Sequence, residues 1–147
     1  MGLVPVLGVL TAYLYKPFKG VPCGAGYNSV AISTDGRVLA CPIAVTEKWA
    51  NLGTLEHGFK TKEPFVSEMC KGCDLLPYCG GRCLYFINEG TNYWGESGVS
   101  EVDEVTKFTV REIIKIGPEI KKLIDEGIIK KEQIFYDPVL DSTEIIP

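Results

Sequence analysis

The chain has 147 residues, 46% hydrophobic and 23% charged, with 15 basic and 19 acidic side chains giving a net charge of −4. This length and balance describe one folded domain, or a modest core with an appended segment, and exclude a disordered chain. Mild acidity without a basic stripe argues against nucleic acid as a partner, since neutralising phosphates needs clustered Lys and Arg; the pairs Lys121–Lys122 and Lys130–Lys131 read as solvated helix faces.

The chain opens on an apolar run from Leu3 to Tyr15 that stops at Lys16. A bilayer span needs about 20 apolar residues, and neither a preceding positive region nor a cleavage site marks an export signal. The run reads as a buried helix or strand, so no membrane role is expected. Without export, structural disulfides are improbable, and clustered cysteines become metal-ligand candidates in a reducing, cytoplasmic setting.

Residues 28–41, "NSVAISTDGRVLAC", predict a hairpin with Asp35–Gly36 as a two-residue turn between Val30/Ile32 and Val38. Residues 42–69 look irregular, punctuated by Pro42, Gly53, Gly58 and Pro64. His57, the single histidine, reads as a surface turn residue rather than a ligand, and with no G-x-S-x-G present hydrolase chemistry has no support. A cysteine loop follows, then a Gly/Asn/Ser-rich passage over 89–100. Ser100 and Asp103 predict a capping-box helix start, Gly117–Pro118 a break, and 119–126 a second short helix ending at Gly127. From Lys131 the tail reads as extended. The fold class expected is α+β: a small β-hairpin and cysteine-rich loop, followed by C-terminal helices. The segments are a lead-in over 1–21, a cysteine-rich unit over 22–99 and a helical end piece over 100–147.

"CKGCDLLPYCGGRC" (70–83) holds four of the six cysteines at spacing C-x2-C-x5-C-x3-C. The C-x2-C step lets two thiolates face one centre, and Gly72, Gly80 and Gly81 let the backbone close around something bulky. Cys23 and Cys41 flank the predicted hairpin, which brings them together at its open end. Six thiolates exceed what one tetrahedral zinc uses. Tyr78, Tyr85, Phe86, Tyr93 and Trp94 surround the loop in sequence, fit either to shield a cluster or to pack a core; Arg82 is a candidate donor to a sulfide or an anionic peptide group.

C-x12-G-x4-C followed by C-x2-C-x5-C-x3-C resembles the SPASM domain, the auxiliary iron–sulfur domain of radical-SAM peptide-modifying enzymes. The likeness covers about residues 22–86, where both spacings and their order agree; "CGAGYNSVAISTDGRVLACPIA", "CGGRCLY" and the ending "TEIIP" further resemble an archaeal peptide-modifying radical-SAM group. The resemblance implies two [4Fe–4S] clusters with interleaved ligands: Cys23, Cys41 and Cys83 on auxiliary cluster I, and Cys70, Cys73 and Cys79 on auxiliary cluster II.

The chain departs from that pattern twice. The family's seventh cysteine, which completes cluster II, is missing; "VDEVT" stands about where it would fall, making Asp103 or Glu104 an oxygen-ligand candidate, against a plain exposed or capping role. Nor is there a C-x3-C-x2-C triplet, so these residues alone should not cleave S-adenosylmethionine. The function expected is electron transfer and peptide-substrate docking beside a radical-SAM barrel carried in cis or in trans, S-adenosylmethionine being bound only by that barrel, within an oxidoreductase that modifies peptides. The alternative is a structural zinc module with an all-cysteine site at Cys70, Cys73, Cys79 and Cys83.

Overall fold

The computed structural model describes residues 4–81 and 83–136. The fold is α+β, with a four-stranded antiparallel sheet in the order β1-β2-β3-β4 and four helices. The lead-in forms helix α1 (Val4–Leu14), which buries Val9, Leu10, Thr11 and Ala12. Among the described residues no helix is long and apolar enough to cross a membrane.

Strands β1 (Ala31–Ile32) and β2 (Arg37–Leu39) form the expected hairpin, pairing Ala31 with Leu39 and Ile32 with Val38. The turn is one residue longer than expected. Ser33 and Arg37 still exchange a ladder hydrogen bond (N–H to carbonyl, 3.0 Å), leaving Thr34, Asp35 and Gly36 as a three-residue loop. Only Gly36 lies in the left-handed region (φ 82°), the geometry of a type I turn closed by a glycine bulge. Asp35 does not take positive φ, and its carboxylate is held locally: it accepts from the Ser33 hydroxyl, from the Arg37 amide (3.2 Å) and from Arg37 Nε (2.7 Å). These contacts lower its pKa to about 2, the Ser33 hydrogen bond first among the causes.

Residues 42–69 are more ordered than their punctuation suggests. Strand β3 (Asn51–Thr54) pairs with β2, and β4 (Gly58–Phe59) pairs with β3. Strands this short carry too few side chains for alternation to announce them. His57 sits in the β3–β4 turn with its side chain 78% exposed, as a surface turn residue should.

The largest departure is helix α3 (Leu84–Asp125), 42 residues with one non-helical residue, Gly95 (φ 69°, ψ 174°). The Gly/Asn/Ser-rich passage is therefore helical on both sides of a sharp kink. No helix starts at Ser100, since the chain is already helical there, and Asp103 pairs with Lys107 instead of reaching back to cap. Nor does Gly117–Pro118 break the helix. An apolar stripe of Val110, Ile113, Ile114, Ile120 and Ile124 runs across it onto the core that includes α1 residues Val9 and Leu10, and that packing outweighs the proline's cost of about 3 kcal/mol. Gly117 lies under Tyr13, where an added Cβ would stand 2.5 Å from the ring. The helix does end at Gly127: its amide donates to Ile124 and that of Ile128 to Leu123, both at 2.9 Å, a paired closure of the last turn. The tail expected as extended begins with a short helix, α4 (Lys131–Ile134), anchored where Thr11 Oγ1 donates to the Ile134 carbonyl and accepts from the Tyr136 amide. The "TEIIP" ending and Arg82 lie outside the described residues.

Two cores matter for the cysteines. Val9, Leu10, Leu75, Val110, Ile113 and Ile134 form one, with Cys73, Tyr78 and Cys79 packed against it. Val21, Ala25, Ala40 and Leu84 form the other, with Cys23 and Tyr27 against it.

Candidate metal centre

The second cysteine group winds through a short 3-10 turn at Glu68–Cys70, a bend at Gly72 and the single helical turn α2 (Leu76–Cys79). Gly80 ends α2 at φ 72°, and the loop then passes tightly against the chain near residues 20–22. An added Cβ at Gly80 would lie 2.6 Å from the Gly20 carbonyl oxygen and 3.0 Å from the Pro22 ring. Both neighbours are stiff and the dihedral is itself unfavourable for other residues. Gly80→Ala is therefore expected to lower the unfolding free energy by about 1–3 kcal/mol, read from urea denaturation; an unchanged midpoint would show that the loop does not need this close approach.

Cys70, Cys73, Cys79 and Asp103 line one small cavity, floored by Leu75 and Val110 and edged by Gly81, Thr106 and Lys107. Thus the carboxylate that stood as a candidate for the missing ligand position meets the three thiols assigned to the same group, and Glu104, its exposed neighbour, does not line that space. A 3-10 turn supplies Cys70, the loop after it Cys73, the helical turn α2 Cys79 and the long helix α3 Asp103. Asp103 reaches them because α3 leaves Cys83, kinks at Gly95 and comes back: a straight helix would carry residue 103 roughly 30 Å from residue 83.

The electrostatics follow from this packing. Burial pushes the Cys79 thiol up from its ordinary value, and the neighbouring Cys70, Cys73 and Asp103 add to that rise. The Gly81 amide donates to Cys79 Sγ at 3.3 Å and works the other way. Lys107 Nζ stands 2.7 Å from Asp103 and 3.2 Å from Glu104, and its pKa is raised, chiefly by the hydrogen bond to Asp103. Asp103 is only 16% exposed, so this pair fixes the carboxylate at the cavity's edge. Lys107 had a sequence signal, the i,i+4 spacing of Asp103 and Lys107 on a helix, which the capping-box reading of Asp103 obscured.

The remaining cysteines sit apart from this cavity. Cys41 is buried with Ala44 and Ala50 beneath Trp49 and Tyr85. Cys83 is the residue immediately before α3, and Cys23 packs on the second core. Their chain neighbours converge: Ala40 and Leu84 share that core with Val21 and Ala25, which bracket Cys23. The hairpin and the start of α3 thus bring the regions of Cys23, Cys41 and Cys83 together, while Cys83 does not line the cavity of the other three. Among the described residues no disulfide joins any of the six.

The aromatic residues mostly pack against the cores and against one another. Tyr78 packs on the first core and against Tyr13, ring centroids 5.8 Å apart, close to Cys73 and Cys79. Tyr85 stands over Cys41 and tilts against Trp49, whose indole donates to Glu89 at 2.8 Å. Phe86 stacks on Trp94 at 5.5 Å, while Tyr93 and Trp94 are mostly exposed.

The donor chemistry of the second group suits a thiolate-bound iron–sulfur group: three sulfurs, one carboxylate and an amide aimed at sulfur around a dry floor. Among the described residues no three His, Cys, Asp or Glu side chains stand close enough together to hold a single metal ion. The space between the four donors is about 20 Å³, room for one water. A larger group enters only if the loop opens, and Gly80 is packed closely against Gly20 and Pro22 on one side of it. Comparison of the chain with protein families, with curated proteins and with solved structures gives no match.

Proposed function

We propose that the chain is an auxiliary iron–sulfur unit for electron transfer and peptide docking, working beside a separate radical-generating domain of a peptide-modifying oxidoreductase. The observation that carries this reading is the meeting of Cys70, Cys73, Cys79 and Asp103 around one cavity. Those four residues would hold one [4Fe–4S] cluster, and Cys23, Cys41 and Cys83 the other. A cluster so held supplies one-electron transfer, at a potential tuned by ligand type, burial and hydrogen bonds to sulfur.

The chain's own residues set those terms. The Gly81 amide offsets charge on Cys79, Lys107 orients Asp103, and Leu75 and Val110 keep water from the floor. Asp103 would supply an oxygen in place of a fourth sulfur, a weaker donor to iron than thiolate. With no C-x3-C-x2-C triplet, the unit does not itself cleave S-adenosylmethionine. Thiolate ligation assigns it to a reducing compartment, the cytoplasm. The all-cysteine zinc alternative needs Cys83 on the same ion as Cys70, Cys73 and Cys79, and Cys83 does not line their cavity.

The test is anaerobic reconstitution with iron and sulfide, followed by metal counting and a visible spectrum. About eight iron atoms per chain with broad absorption near 400 nm are expected for two such clusters. A colourless protein holding zinc overturns the redox reading.

A further inference from the structure

On another part of the surface lies a cleft of about 500 Å³, well within the roughly 300–1,000 Å³ usual for ligand sites. Its walls come from four separated stretches: the end of α1 and residues 16–22, the turn at 27–28, the segment 62–64, and the residues after α4. Pro17, Phe18, Pro22, Tyr27, Pro64 and Phe135 make it apolar and stiff. Around them stand Lys16, Lys19 and Lys62 against a single acidic residue, Glu63. This bias opposes the chain's own net charge of −4. None of the three lysines forms an ion pair among the described residues. Lys62 is held by donation to the Trp49 carbonyl at 2.9 Å, so its position is fixed by the backbone it spans rather than by a carboxylate.

We infer that this cleft docks an acidic peptide bearing an aromatic or large apolar anchor. Prolines and aromatic rings fit an extended chain, which loses little on binding a wall already rigid. The lysines attract carboxylates and reject basic sequences, which is where the selectivity lies. The cleft also borders the first cysteine group: Pro22 and Tyr27 line it, and Tyr27 packs on the same core as Cys23. A peptide seated here would pass beside the region of Cys23. The inference extends the peptide-docking part of the proposed function but does not depend on either cluster.

The test uses the full chain and three fluorescein-labelled hexapeptides followed by polarisation: Asp-Glu-Phe-Asp-Leu-Glu, its basic counterpart with lysine at every acidic position, and an acidic version with alanine for Phe and Leu. The first should bind saturably, at least tenfold more tightly than either of the others. The double variant Lys16→Glu/Lys19→Glu should weaken it at least tenfold, while Lys121→Glu/Lys122→Glu, on the exposed face of α3, should not. Iron uptake on anaerobic reconstitution is counted on the same preparations, so peptide binding by a chain that takes up no iron would sink the cluster reading and leave this one standing. Equal binding of acidic and basic peptides, or an unchanged affinity in the Lys16/Lys19 variant, overturns the inference. So does binding of the first peptide only after residues 137–147, which follow Tyr136 at the cleft wall and include Asp137, Asp141 and Glu144, are removed; that result would assign the cleft to the chain's own tail.

Discussion

Alanine at Cys70, Cys73 or Cys79 is expected to halve the iron retained by the reconstituted chain, to about four atoms. Alanine at Cys23, Cys41 or Cys83 should remove the other half, and one substitution from each set should leave the protein nearly iron-free. The partition is the one that the resemblance to the auxiliary iron–sulfur domain implies. The first three thiols line one cavity, and Cys83, despite lying four residues after Cys79, does not. Asp103→Ala should have a graded effect: iron enters, but one atom is lost faster on chelator challenge, because water replaces a held carboxylate. Lys107→Ala, which frees Asp103 without removing it, should fall between Asp103→Ala and the unaltered chain. If Cys83→Ala and Cys79→Ala instead abolish the same half, and their double variant loses no more than either, the two sets are one site and the interleaved assignment fails.

The second large effect concerns the core beneath that cavity. Leu10 is 3% exposed and shares its cluster with Leu75 of the cysteine loop and Val110 of α3. Leu10→Ala should cost about 2–5 kcal/mol, the range for a buried leucine that leaves a cavity. Against a total of roughly 5–15 kcal/mol for a domain, that is a substantial share of the stability. Leu55→Ala, at a turn position 57% exposed, should stay within about 0.5 kcal/mol. Urea denaturation of the iron-free chain measures both. Because Leu75 and Val110 also floor the cavity, Leu10→Ala should slow iron incorporation as well. A Leu10→Ala chain that unfolds at the parent's midpoint would show that α1 is not part of the cooperative core.

Features with strong local chemistry were legible in the sequence: the hairpin around Asp35–Gly36, the exposed turn at His57, the helix stop at Gly127 and the apolar lead-in that became α1. What the residues hid were outcomes decided by packing. Pro118 and the glycine-rich passage read as breaks because propensity penalises them, yet an apolar stripe across the first and a single kink at Gly95 within the second keep α3 helical. The sheet's second hairpin was invisible because β4 has two residues. The reading of Asp103 as a cap fell only because the helix begins sixteen residues before Ser100. The lysine-rimmed cleft had no sequence signal, since its walls come from four stretches that meet only on folding.

The kink at Gly95 has a consequence for how chains of this architecture can change length. Residues 96–102 act as a ruler between the bend and Asp103. One inserted residue turns everything beyond it by about 100° and advances it 1.5 Å, swinging the carboxylate away from the thiols and the apolar stripe away from α1. Three or four inserted residues complete a turn and restore both faces, though about 5 Å farther along. Between Gly95 and Asp103, then, insertions and deletions should be found in near-whole turns or not at all, whereas the β3–β4 turn around His57, which orients nothing, is free to vary by single residues.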